Sequence, residues 1–266
     1  MLVLAGFLLA TTAASAQWDP YPWKRVPRTP DGKVDLNAPA QRTSYGKPDL
    51  SGFWMPEDQV KYLLNLAADM KEQDIPLKPS ARDLYNKRID NNGKDHPGVS
   101  CLPSGIPEKD NIPDGLKLVQ TEDLVLLLHE SRTIYRQIFT DGRPLPVDPD
   151  PTFNGASVGH WDGNFLLSTA YGFRLDTNME SSGLPKSDKA IAYERIWLAD
   201  DDTLRDEFTL VDPVALVKPW TVTKTYKRAP PDFEIEPYVC LENNRNPIAP
   251  DGSIQAILQT GEKPQK

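Results

Sequence analysis

From residue 115 onward, apolar and polar residues alternate in short runs, and the punctuation between the runs is that of tight turns. Residues 124–129 and 133–139 flank a turn at 130–132, and Asp141-Gly142 ends the second run. Residues 157–161 and 165–169 flank Asp162-Gly163-Asn164, the strongest hairpin signal in the chain, since glycine takes positive φ at no steric cost. Residues 190–198 and 203–211 flank Asp200-Asp201-Asp202, and 220–226 follow Pro219. With a strand opening at Ser51-Gly52-Phe53-Trp54, the pattern predicts a mainly β chain. About eight antiparallel strands would form a lipocalin-like barrel or a strongly curved sheet. No repeat of solenoid or propeller length is visible.

The period changes before residue 115. Val60, Leu63, Leu64, Ala67 and Ala68 recur at helical spacing behind Pro56, and a second helix is expected from Pro79 to about Ile89. One or two helices are therefore expected, in an insertion over about 56–91. Residues 17–50 carry aromatic and proline punctuation and read as a long irregular N-terminal arm. Residues 1–16 are uncharged and apolar and end Ala14-Ser15-Ala16, the pattern of a signal peptide cleaved after Ala16. The expected organisation is a leader (1–16), the arm (17–50), one barrel-like domain (51–245) and a tail (246–266). The expected localisation is periplasmic or extracellular.

Charge narrows the partners. The net charge of -8, with lysines and arginines scattered, argues against a nucleic-acid or anionic-membrane partner. No run after the leader is long and apolar enough to span a bilayer, so no membrane insertion is expected. A homo-oligomer is compatible with this reading. Cys101 and Cys240 are the only cysteines, and in an oxidising compartment they are expected to form one disulfide. Three dispersed histidines offer no ligand spacing, so no metal and no other cofactor is expected. There is no phosphate-cradling glycine loop and no dinucleotide fingerprint.

Alternation also nominates chemistry. Arg136 shares a strand face with Ile134 and Ile138, and Glu194 shares one with Ala192, Ile196 and Leu198. If those faces point inward, the two charges are expected to meet as an ion pair or to line a pocket where Glu194 acts as acid or base. His160 shares its face with Asp162, a usable general base with a carboxylate beside it. Gly155-Ala156-Ser157-Val158-Gly159 matches a hydrolase GxSxG pattern, but it lies within a strand rather than at a strand-to-helix elbow. It reads better as small residues that let a strand bend or another backbone approach.

These segments resemble a family of exported bacterial proteins of unknown activity. Its marks are an RTPDGKPDLSGxW-like arm, then CxPxGxP, a DGR turn, GxSVGxWxGDxLVxxTxGF, ER and ExxCxEN. Here they stand at 28–33 with 48–54, at 101–107, at Glu130 with 135–143, at 155–173, at Glu194-Arg195 and at 236–243. Two positions depart from the resemblance: Asn164 stands where relatives carry Asp, and Lys186 where a histidine often precedes Ser-Asp.

Two functions are expected to compete. One is a cofactor-independent lyase, isomerase or hydrolase acting on a small molecule such as a sugar or phenolic compound, with Arg136, His160, Asp162 and Glu194 as acid/base residues. The other is a lipocalin-like binding protein in which Trp54, Trp161, Tyr193 and Trp220 wall a ligand cavity. In both, the partner is a small molecule.

Overall fold

The computed structural model describes residues 29–33, 35, 41–57, 66–67, 70–111, 114–230 and 233–236. The expected leader, most of the first expected helix, Cys240 and the expected tail lie outside the described residues.

Nine strands close into a barrel in chain order: β1 (Gly52–Pro56), β2 (Leu116–Gln120), β3 (Leu124–His129), β4 (Ile134–Phe139), β5 (Ala156–Asp162), β6 (Phe165–Tyr171), β7 (Ile191–Asp200), β8 (Thr203–Val211) and β9 (Trp220–Arg228). The pairings are antiparallel except between β4 and β5, and β9 returns to β1 through Trp54↔Arg228. One strand more than expected is present. It is β2, whose five residues place only Leu116 and Leu118 inward, too short a run for period two to announce itself. One α-helix, α1 (Pro79–Asp90), is present among the described residues and matches the second expected helix. Pro79 sits in its first turn, where the missing N–H costs nothing, and the helix buries Ala81 and half-buries Tyr85 against the barrel's end. No helix among the described residues is long and apolar enough to cross a membrane.

The interior is stratified. One apolar cluster takes Leu50 from the arm together with Trp54, Leu118, Val125, Ile138, Leu166, Ile196, Leu204 and Tyr226. The other takes Ala170, Ala192, Phe208 and Leu210 from the strands, and Leu77, Ile106, Phe173, Met179 and Leu216 from the connections. Between them, the inward position on four successive strands is polar: Ser168, Glu194, Asp206 and Lys224, all buried. Arg136 from β4 and Ser157 from β5 complete this belt. Two cations and two carboxylates leave it neutral in sum, which a low-dielectric interior requires.

The described last stretch of the arm, residues 41–50, docks against one end of the barrel. Leu50 N–H donates to Gln120 Oε1 at 2.8 Å, Tyr45 Oη donates to the Thr121 carbonyl at 2.8 Å, and Arg42 Nη2 donates to Asn164 Oδ1 at 2.8 Å. Asn164, one of the two positions that depart from the resemblance, is thus an exposed hairpin residue that docks the arm.

Candidate functional site

The belt first settles where the expected acid/base residues lie. Arg136 grips Glu194 with two donors, Nη1 to Oε1 at 2.6 Å and Nη2 to Oε2 at 2.5 Å, while Nε donates to Ser157 Oγ at 3.1 Å and Nη2 to Ser168 Oγ at 3.2 Å. The side chains of both charged residues are 1 % exposed. The ion pair expected from alternation is present, and the hydroxyls occupy the guanidinium edges that the carboxylate leaves. His160 and Asp162 do not join it. On β5 the inward residues are Ser157 and Gly159, so His160 and Asp162 fall on the outer face and are exposed. The four candidate residues therefore form no common site.

The expected aromatic wall is likewise divided. Trp54 is wholly buried in the arm-end cluster, with Nε1 donating to the Leu50 carbonyl at 3.0 Å and the Arg228 guanidinium 4.1 Å above its ring. Trp220 is buried in the opposite cluster. Trp161 packs half-buried against the first, and Tyr193 stands 44 % exposed on the outer face of β7. These residues do not line one cavity. Ser157, the GxSxG serine, is bound by Arg136 inside a strand and has no histidine partner among the described residues.

An open site exists elsewhere, where the parallel pairing of two barrel strands is short. β4 and β5 are joined at a single register pair, Phe139↔Val158. Toward the N-terminal ends of both strands they diverge, and a cleft of about 630 Å³ opens between them. Volumes of several hundred Å³ suit a small organic ligand. Tyr135, Gln137 and Phe139 form one bank, Ala156 and Val158 the other, and Arg136 and Ser157 lie at the floor. Asn154 spans the gap, donating from Nδ2 to the Tyr135 carbonyl at 3.0 Å. That bond fixes the amide's orientation and leaves Oδ1, a buried acceptor, with no partner among the described residues.

Backbone strain collects at the same place. Arg132 and Thr133, both lining the cleft, take φ of 56° and 52°. Left-handed conformation is unfavourable for a β-branched residue, and such strain persists where surrounding structure enforces it, commonly at binding sites. Arg132 Nη1 donates to the Leu102 carbonyl at 3.2 Å and to Ser104 Oγ at 2.8 Å, both neutral acceptors. Arg143 is held by Asp141 and lies 3.8 Å over the Phe139 ring. The same guanidinium keeps the exposed Asp141 carboxyl below its ordinary range. Among the described residues, none that lines the cleft is a carboxylate, imidazole, amine or thiol.

No family model matches the chain, and no curated protein does.

A second group of polar residues, buried at the end away from the arm, was not singled out by sequence. Lys109 Nζ lies 2.6 Å from His129 Nε2, and His96 Nε2 lies 2.8 Å from Glu108 Oε1, off the line of a good hydrogen bond. Ser104 Oγ also donates to Glu108, at 3.0 Å. His129 was legible in principle, since it continues the inward series Val125, Leu127. His96 sits in a Pro-Gly loop that no periodicity reaches. Lys186, the other departure from the resemblance, donates to the Ile106 carbonyl at 2.6 Å and sits 4.2 Å from the Phe173 ring.

Glu180, fully buried nearby, has its pKa pushed above the ordinary 4.5, chiefly by desolvation, with the Glu108 carboxylate adding to it. Because the folded state then holds the proton more tightly, this contribution is complete below the unfolded pKa and is lost as pH rises through the folded one. In urea unfolding, the stability of Glu180→Gln relative to the parent is expected to improve from pH 4.5 to 7.5. A difference that does not vary with pH would contradict the assignment.

Proposed function

We propose that the chain is a small-ligand-binding barrel protein whose site is the β4–β5 cleft. The observation that carries this reading is the cleft's lining, in which aromatic and guanidinium surface lies beside strained backbone and, among the described residues, no group suited to proton transfer near neutral pH is present. The expected acid/base set points the same way, because its members lie on opposite faces of the wall. Isothermal titration with 2-naphthol, a neutral aromatic probe, tests the site. Gln137→Trp, at an exposed strand position on one bank, is expected to weaken binding at least tenfold without loss of folding. Unchanged affinity in that variant removes the cleft as the site.

The acid/base enzyme, a lyase, isomerase or hydrolase, keeps one support in the buried Lys109–His129 contact. It requires turnover that His129→Gln abolishes in a protein that still folds.

We further propose that the protein is exported and oxidised. The apolar leader and the pair of widely spaced cysteines are one signature, and Cys101 is not a free thiol. Mass spectrometry of protein recovered from producing cells, alkylated without reductant, is expected to find Gln17 at the N-terminus and no labelled cysteine, with Cys101 and Cys240 in one linked peptide. Two labelled thiols on folded protein would refute the pairing.

A further inference from the structure

We infer that the ligand of the cleft is a planar aromatic acid, bound with its carboxylate on Arg132. This rests on the cleft being the binding site and adds the chemical class. The charge of Arg132 selects the anion. Arg136 is neutralised by Glu194 and Arg143 by Asp141, whereas the partners of Arg132 among the described residues are a carbonyl and a hydroxyl. The nearest carboxylate in its chain of contacts, Glu108, is reached only through Ser104 and is shared with His96. A guanidinium with donors to spare and, among the described residues, no direct counter-ion and no carboxylate lining the cleft favours an anion over a neutral ligand of equal shape.

The banks select a flat apolar body. Tyr135, 61 % exposed, stands in the cleft beside Phe139 and Phe153. Guanidiniums stack on both phenylalanine rings, Arg143 at 3.8 Å and Arg174 at 4.7 Å, and help to fix the rings in place. Arg174 is itself anchored by Asp176 through two hydrogen bonds.

One near-isosteric pair tests the class by titration on the unaltered protein. 2-Naphthoate is expected to bind at least tenfold more tightly than 2-naphthamide. Arg132→Gln is expected to erase the acid–amide difference while leaving the amide within about twofold, and Arg132→Lys to restore part of it. Equal affinity for acid and amide overturns the inference, as does a preference that survives Arg132→Gln. Should Arg132→Gln fail to fold, the acid–amide ratio in the parent, and its loss in Gln137→Trp, decide. If 2-naphthol binds and Gln137→Trp blocks it while acid and amide bind alike, the cleft remains the site and only the ligand class is wrong. If 2-naphthol does not bind, or binds regardless of Gln137→Trp, the site itself is wrong.

Discussion

Glu194→Ala is expected to lower the unfolding free energy by about 3–5 kcal/mol, the usual cost of breaking a buried pair from one side. The Arg136 guanidinium would be left in the belt with only Ser157 and Ser168 as neutral partners, at a depth where its side chain is 1 % exposed. The double variant Arg136→Met with Glu194→Leu removes both charges and keeps most of the volume, so it is expected to cost far less than Glu194→Ala alone. Urea unfolding followed by circular dichroism measures all three proteins. If the double variant is as unstable as the single one, packing rather than charge compensation governs the belt. Glu194→Gln separates the terms further, since it keeps the shape and one acceptor oxygen but drops the charge.

How much of this was legible varies along the chain, and the reason is physical. Period two is a local property, so β3, β4, β8 and the β5–β6 hairpin could be read to within a residue or two, and the facing of Arg136 and Glu194 followed from their apolar neighbours. The same alternation placed His160 and Asp162 on one face, which they do share, but did not say that the face was the outer one. That depends on which neighbours of Ser157 and Gly159 reach across the barrel, and those come from distant strands. β2 was lost because five residues with two inward leucines are too few to show a period. The cleft was not legible at all. It exists because β4 and β5, joined by a connection of 16 residues from Thr140 to Gly155, meet at a single register pair, and no composition or spacing in either strand encodes that divergence. Arg132 and Asn154, which give the cleft its polarity, lie outside the strand runs where periodicity has nothing to say.

The glycine at the head of β5 is where that divergence can be tested through stability. Gly155 takes φ of +65°, and a Cβ built there would lie 2.5 Å from the Tyr171 carbonyl oxygen and 2.9 Å from the Phe173 ring. Gly155→Ala therefore meets two costs at once. The left-handed conformation costs an alanine about 1–2 kcal/mol. Relieving the overlap with β6 backbone, which has no flexible side chain to yield, adds about 1–3 kcal/mol. Gly163, at the tip of the β5–β6 hairpin, is the matched control. Its φ is +56° and nothing lies within 4 Å of a Cβ built there, so Gly163→Ala is expected to show the conformational cost alone. The two variants should thus differ by the overlap, about 1–3 kcal/mol, in urea unfolding. Because Gly155 lines the cleft while Gly163 does not, folded Gly155→Ala should also bind 2-naphthol more weakly, whereas Gly163→Ala should bind it as the parent does. Equal stability in the two variants would mean that β5 can slide away from Tyr171, and the close approach would then not be what holds β5 apart from β4.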